Sequence, residues 1–474
     1  MSTRYSQPLI LCLHARPEAV RDLFIVFTRY AEPGKVKTRL IPSLRASGAS
    51  RLQREMTRHA LRTARTLYPD IQVEVFCDGG DVPEILDLFG PETTVWRQRS
   101  GDLGQRMADA FHCAFERGFK RVVLTGTDCP SITSSIIRQA FDRLVSHDCV
   151  LGPADDGGYY LIGLKEPCQG LFAGIPWGTC DVFKETVARV DRIGLTASYL
   201  KSLPDIDRPD DLPTWMDAVR RTKPRIEVII PTLNEETSIV CTLKQLGKGA
   251  NTDILVVDGG SSDRTATLAA GQGARVITSG RNRATQMNEG AARSKADILL
   301  FLHADTRLPE YFDFMIREAL ADPCIIAGAF SLGFDSDMAA LKLIAFGANL
   351  RSRLLELPYG DQGIFLWSAD FRESGGFPDL PIMEDAAFIR ILRKQGRISI
   401  LREKAITSAR RYEQLGPLRT LIINQCVVLS FFKGAGATDI ASLYQSRAGL
   451  RQWLGLLICG TDNKPGLRRS RKRR

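Results

Sequence analysis

Ile226-Glu227-Val228-Ile229-Ile230 is an apolar run that breaks at Pro231-Thr232-Leu233-Asn234-Glu235-Glu236. A second run, Ile254-Leu255-Val256-Val257, ends in Asp258-Gly259-Gly260-Ser261-Ser262-Asp263, and a third, Ile298-Leu299-Leu300-Phe301-Leu302, ends in His303-Ala304-Asp305. Short β-branched or leucine-rich runs of this kind read as buried strands. Helical patterns lie between them, so the segment reads as β-α-β units of a parallel sheet. Ligands collect outside the carboxyl ends of such strands. Three strands therefore bring Asn234/Glu235, Asp258 and Asp305 to one edge, an arrangement that suits a nucleotide and a divalent metal.

Pro-Thr-Leu-Asn-Glu, Asp-Gly-Gly-Ser-Ser-Asp, Asp305 and the later Glu384-Asp385 pair follow one another over roughly 160 residues. In that order they resemble family 2 glycosyltransferases, the inverting nucleotide-sugar type with a GT-A fold, over residues 225–445. Gly280-Arg281-Asn282-Arg283-Ala284-Thr285-Gln286-Met287-Asn288 and Tyr359-Gly360-Asp361-Gln362-Gly363 resemble a bacterial subgroup often fused to, or encoded beside, a nucleotidyltransferase-like protein.

The resemblance implies roles for single residues. Asp305 would hold Mg²⁺ or Mn²⁺ against the donor diphosphate, neutralising the charge that develops on the leaving group. Pro231, Asn234, Glu235 and Asp258 would line the nucleotide pocket, and Arg281, Gln286 and Arg411 would join them. Many relatives carry a second acid after Asp258; this chain has Gly259. Asp385 would be the general base and Glu384 its support, although two acids at a helix start also suit the helix dipole. His303 is expected to pack or hydrogen-bond rather than ligate, and Asp263 to cap a helix. Tyr359, Asp361 and Gln362 would form an acceptor floor or an ordinary turn.

The first half repeats this plan. Leu23–Phe27, Val73–Cys77 and Arg121–Leu124 read as strands, the second ending at Asp78 and the third followed by Gly126-Thr127-Asp128. Asp78 precedes Asp258 by 180 residues, Gln105 precedes Gln286 by 181, and Asp128 precedes Asp305 by 177. Residues 22–221 are therefore expected to share the fold of the second half, with a boundary near Thr222–Arg225. Arg29-Tyr30-Ala31-Glu32-Pro33-Gly34-Lys35-Val36-Lys37-Thr38-Arg39-Leu40, Gly126-Thr127-Asp128-Cys129-Pro130, Gly152–Tyr160 and Asp205–Leu212 resemble the family of molybdenum-cofactor and deazaflavin-cofactor guanylyltransferases. By that resemblance Arg29, Gly34, Lys35, Lys37 and Arg39 would cradle a nucleoside triphosphate, and Asp128 and Asp207 would be metal ligands. Asp155 and Asp156 would line a substrate loop or make a turn.

The whole chain then reads as an α/β protein of two tandem GT-A-like (nucleotide-diphospho-sugar transferase-like) domains, each a mostly parallel sheet flanked by helices. Segments 1–21 and 446–474 lie outside them. The expected activity is sugar transfer from a nucleotide-sugar donor to an acceptor that the sequence does not name. Nucleotidyl transfer as the main activity, or a non-catalytic nucleotide-binding first domain, is the alternative.

Composition narrows the setting. The net charge is +10, but the eleven residues from Lys464 hold seven Lys/Arg and no acid. The basic element is thus a tail, read as solvated or as a weak contact for anionic membrane surfaces, and nothing else suggests nucleic-acid binding. Eleven scattered cysteines without a Cys-x-x-Cys pair point to a reducing cytoplasm. No run reaches the ~20 apolar residues of a membrane span, and Leu9–Leu13 is too short for a secretory core. Leu418–Phe432 is the most apolar helix; core or dimer packing is favoured there over a membrane-surface role.

Overall fold

A computed structural model describes Leu9 and residues 20–90 and 92–445. The segment 446–474, with its basic tail, lies outside the described residues, as does most of 1–21. Chain contacts divide the protein into Met1–Thr222 and Lys223–Arg474.

The first unit is built on seven strands: β1 (Asp22–Arg29), β2 (Gln72–Asp78), β3 (Thr94–Arg97), β4 (Arg121–Thr125), β5 (Cys149–Pro153), β6 (Tyr159–Leu164) and β7 (Ala197–Tyr199). Their order across the sheet is β3-β2-β1-β4-β6-β5-β7. β6 runs antiparallel to β4 and β5, and the remaining pairs are parallel.

The second unit adds β8 (Ile226–Thr232), β9 (Thr252–Asp258), β10 (Arg275–Thr278), β11 (Ile298–Phe301), β12 (Thr306–Arg307), β13 (Ile325–Phe334), β14 (Ile364–Trp367) and β15 (Arg397–Thr407). The order is β10-β9-β8-β11-β14-β13-β15-β12. β14 is antiparallel to both β11 and β13, while β13 and β15 are parallel. Apart from the short edge strand β12, this is the plan of the first sheet, with β14 in the place of β6. The repeat inferred from spacing is thus a repeat of topology.

Strand alternation explains why each sheet has two covered faces. Phe24 and Val26 point into one apolar layer, and Leu23, Ile25 and Phe27 into the other. In β8 the split is Ile226, Val228 and Ile230 against Ile229. Period-2 side chains that are apolar on both faces require helices above and below. Each such buried Val, Ile or Leu contributes roughly 1.5–3 kcal/mol. Glu227 is the exception in β8, and Arg275 meets its buried carboxylate at 2.8 Å.

Candidate active site

The carboxyl ends of β8 and β9 carry loops that are tied to each other. Asp258, the last residue of β9, is 5% exposed. Its carboxylate accepts from the backbone N–H of Gly260 and Ser261 at 3.1 and 2.8 Å, and from Thr232 Oγ1 at 3.2 Å. Asn234 takes a left-handed φ of 57° and its Oδ1 accepts from Ser262 N at 2.8 Å. Asp263 accepts from Thr265 N at 3.0 Å, but the N-cap of helix Thr265–Gly271 is Arg264, so Asp263 closes the turn leading into the helix instead of capping it. Much of the polar sequence that reads as nucleotide-facing therefore builds the loops. Pro231 is likewise buried within β8.

Gln286 departs from its expected role. It is 3% exposed, and its Nε2 donates to Thr232 O at 2.9 Å and Val257 O at 2.8 Å. The amide pins the ends of β8 and β9 together, so its N–H groups are spent on strand carbonyls. The first unit makes the same clamp from a different position. Gln98 Nε2 donates to Thr28 O and Phe76 O, both at 2.8 Å, while Gln105 only completes the capping box of helix Leu103–Glu116. The equal spacing of Gln105 and Gln286 was thus not an equivalence; Gln98, just beyond β3, is the counterpart.

The clamp also accounts for Gly259. A Cβ there would stand 3.0 Å from Gln286 Nε2 and 3.3 Å from Thr232 O, so both would have to give way. An acid at that position competes with the clamp for space.

Arg410, rather than Arg411, reaches the acidic edge. Its Nη2 lies 3.0 Å from Glu235 Oε2 and 3.4 Å from Asp305 Oδ2, and its Nη1 donates to Thr237 Oγ1 at 3.1 Å. Arg411 turns away, with its guanidinium 4.0 Å from the centre of the Tyr444 ring, and burial lowers its pKa. Both begin the short helix Arg410–Leu415 after β15, and successive helical residues diverge by about 100°. Arg283, two residues beyond the expected Arg281, faces Glu384 at 3.7 Å; Arg281 is exposed ahead of the helix.

Helix Glu384–Leu392 presents the acid pair from its first turn. Asp385 Oδ2 accepts the N–H of Gly360 at 2.7 Å, and Oδ1 accepts that of Ala386 at 2.7 Å. Glu384 is 4% exposed, and burial followed by the charge of Asp385 raises its pKa. Asp361 is raised to about 6, by burial first and then by Asp385, with Asp305 adding to the effect. Burial and then Arg283 push His303 down to about 3, so the imidazole is neutral. Of the expected acceptor floor, Gln362 is fully buried and spends its amide on Phe330 O at 2.8 Å and Ser352 Oγ at 2.9 Å. Tyr359 carries Arg351 over its ring at 3.8 Å.

Among the described residues no group of three or more His, Cys, Asp or Glu side chains is set to hold a metal ion. Asp305, with Asp361 in electrostatic reach, nevertheless offers the oxygen donors that Mg²⁺ and Mn²⁺ prefer. Mg²⁺ is commonly held through one or two carboxylates plus substrate phosphates. The residues fit an ion that arrives with a diphosphate.

The first unit contains a cleft of about 1120 Å³ lined by Arg29, Lys35, Lys37, Arg39, Asp128 and Asp207, among others. Lys37 is the buried cation: its Nζ sits 2.9 Å from Asp128 Oδ1 and donates to Ile206 O. Arg39 pairs with Asp207, Arg29 with Asp78 at 3.3 Å, and Lys35 with Glu32 at 2.7 Å. Gly34 has φ 84° with open space beside it. Asp156 Oδ1 accepts from Gly158 N at 2.8 Å, the expected turn. Sequence reading missed Asp205, whose carboxyl is raised to about 6 by burial and then by Asp156. The alternation Asp205-Ile206-Asp207 marks a pair of acids on one side, but not which of them is buried.

Residues 227–347 match the family model described as Glycosyl transferase family 2, and residues 61–179 match Uncharacterized protein conserved in bacteria (DUF2064). The 4,4'-diaponeurosporenoate glycosyltransferase of Staphylococcus haemolyticus is 36% identical over 96 residues, 18% of this chain and 26% of that protein. The chain thus spans about a quarter of that relative's length. A solved Desulfovibrio desulfuricans protein, assigned as a nucleotide-diphospho-sugar transferase, is 33% identical, covers 43% of this chain and 88% of its own, and has a TM-score of 0.40. A mannosyltransferase of Pyrobaculum calidifontis, solved with GDP-Man and Mn²⁺, is 15% identical over 53% of this chain and 76% of its own, with a TM-score of 0.36. The C-terminal half thus carries a glycosyl transferase family 2 domain and the N-terminal half a DUF2064 domain, each on a mostly parallel sheet flanked by helices.

Proposed function

We propose that the second unit transfers a sugar from a nucleotide-sugar donor to an acceptor hydroxyl with inversion. The observation that carries this reading is the Arg410 guanidinium set between Glu235 and Asp305 at the carboxyl edge of the sheet. A cation and a carboxylate side by side suit a donor diphosphate and its counter-ion. A divalent ion bound there with the donor would supply charge neutralisation on the leaving diphosphate. Asp385 takes the acceptor proton as the acceptor oxygen bonds to the anomeric carbon. The bond to the diphosphate oxygen breaks on the opposite face, and the nucleoside diphosphate leaves. Glu384, buried behind Asp385 and facing Arg283, positions the base. Asn234, Asp258 and Gln286 hold the loops that receive the nucleotide, and Glu235 orients Arg410.

For the first unit we infer a nucleotide or another phosphate-bearing ligand, because the cleft places Lys35, Lys37 and Arg39 beside Asp128, Asp205 and Asp207. Nucleotidyl transfer there would need a divalent ion shared with nucleotide phosphates. Asp128 and Asp207, each paired to a cation, would have to exchange that partner for the ion. The nine cysteines among the described residues are free thiols, in keeping with a reducing, cytoplasmic setting.

Hydrolysis and transfer assays across UDP-, GDP- and CDP-sugars with Mg²⁺ or Mn²⁺ test the main reading. Turnover with an inverted product is expected. A retained anomeric configuration overturns the inverting mechanism, and no nucleotide-sugar turnover alongside pyrophosphate release from a nucleoside triphosphate sinks the reading in favour of nucleotidyl transfer.

A further inference from the structure

Helix Ala339–Leu355 of the second unit is apolar on two sides. Its inward face buries Leu341 and Ala345 and is otherwise anchored by polar groups. Asn349 exchanges bonds with the backbone of Leu332 at 2.6 and 3.0 Å, Ser352 donates to Gln362, and Arg351 lies over Tyr359. Its outward face carries Leu343, Phe346, Leu350 and Leu354. These are 70%, 65%, 47% and 72% exposed. Steps of three, four and four residues place them in one stripe along the helix. A helix facing only water on that side would carry polar residues there.

Helix Pro417–Phe432 packs beside it. One side, with Ile423, Cys426 and Val427, joins the core. The other leaves Leu418, Leu429 and Phe432 in solvent, at 71%, 50% and 41% exposure. Two neighbouring helices thus expose apolar stripes. Contiguous patches of this sort mark interaction sites.

Charge identifies the occupant. Neither helix contains a single Asp or Glu, whereas they carry Lys342, Arg351, Arg353 and Arg419. Arg351 is turned onto Tyr359; the other three are exposed, with Lys342 paired to Asp337 at 3.0 Å and Arg353 donating to Ser331 Oγ at 3.0 Å, so Arg419 is the cation the surface offers most directly. An apolar stripe edged with cations complements a surface that is anionic outside and hydrocarbon beneath. A second copy of the same face would instead bring like charges to one seam.

We propose that helices Ala339–Leu355 and Pro417–Phe432 form a docking surface for an anionic lipid bilayer. The stripe seats among the acyl chains while Lys342, Arg353 and Arg419 meet the headgroups. No helix among the described residues is long and apolar enough to cross a membrane, so this contact is peripheral. The same helix that docks also supports Tyr359 and Gln362 on its inner side. Resting on the glycosyl-transfer reading, this brings the acceptor floor next to headgroups and selects an acceptor carried in the bilayer.

The test is co-sedimentation of the full chain with vesicles of phosphatidylcholine alone or mixed with phosphatidylglycerol. High salt is included to screen attraction that is purely electrostatic, such as that of the basic terminal residues. The mixed vesicles are expected to retain the protein, with part of the binding surviving salt. Leu343→Glu with Phe346→Glu should lower partitioning at least about tenfold, given the apolar area removed from the contact. Lys342→Glu with Arg419→Glu, a surface pair that spares the core, should abolish the preference for phosphatidylglycerol. Phe314→Ser, a change at another exposed aromatic, should leave partitioning unchanged. Equal partitioning by the parent and both double variants overturns the proposal. So does a parent that ignores vesicles but is a dimer that Leu343→Glu with Phe346→Glu splits, since the face is then a protein interface. Vesicle binding without sugar transfer would strike the proposed activity and leave the docking surface standing.

Discussion

Gly360 donates its backbone N–H to Asp385 Oδ2 across 2.7 Å, and a Cβ on Gly360 would stand 2.9 Å from His303 Nε2 and 3.4 Å from Asp385 Oδ2. The Tyr359–Gly363 turn therefore fixes the carboxylate we assign as the base, and a side chain at position 360 would crowd His303 beside it.

Asp385→Asn keeps the shape and loses the basicity. Turnover should fall by about 10²–10⁴ while donor affinity survives. Glu384→Gln should cost less, and Gly360→Ala should lower turnover without weakening donor binding. Initial rates beside calorimetric donor titrations decide this; full activity of Asp385→Asn removes the base assignment.

The two adjacent arginines should separate cleanly. Arg410→Met is expected to weaken donor binding about tenfold through loss of a charge-assisted contact. Arg411→Met should leave donor affinity alone and cost about 0.5–1 kcal/mol of stability as its contact with the Tyr444 ring is lost. The opposite pattern in titration and melting would restore Arg411 to the site.

Asp305→Ala should abolish divalent-dependent nucleotide binding by the second unit and spare that of the first, because the two sheets carry separate sites. In the parent, Mn²⁺ should bind weakly alone and tightly with nucleoside diphosphate, since one carboxylate needs phosphate oxygens to complete a shell. Electron paramagnetic resonance of Mn²⁺ with and without nucleotide reads both effects. An unchanged Asp305→Ala signal would exclude this ligand.

Asp361 is held near 6, above the ordinary carboxylate value of about 3.9. Between those values the folded chain keeps a proton that the unfolded chain has lost, so this group makes stability fall as pH rises from about 4 to 6. Asp361→Asn should therefore raise Tm at neutral pH, and the gain should vanish below about pH 4. Melting curves across pH check the sign; a gain confined to acid pH would contradict it.

In the first unit, Lys37→Met should weaken nucleoside triphosphate binding and leave the second unit's donor binding intact. Lys37 is the cleft's buried cation, whereas Lys35 is exposed and paired with Glu32. Lys35→Met should accordingly matter less, as titrations of the two variants would show.

The strands and their parallel edge were readable from local pattern. β8, β9 and β11 announce themselves because a strand covered on both faces must be apolar throughout, and the repeated order of acids and strands foretold the shared sheet plan. Asp156 closes its turn as expected, because that is a contact between residues close in the chain. Contacts between distant residues were not readable. Whether Arg410 or Arg411 meets Asp305 depends on a helical turn of about 100° per residue set after β15. That Gln98 rather than Gln105 matches Gln286 depends on which amide reaches two strand carbonyls. The crowding at Gly259 and the outward apolar stripe of Ala339–Leu355 likewise follow from what lies across the fold. Apolar periodicity marks a helix face but not the direction it points; tertiary packing decides that.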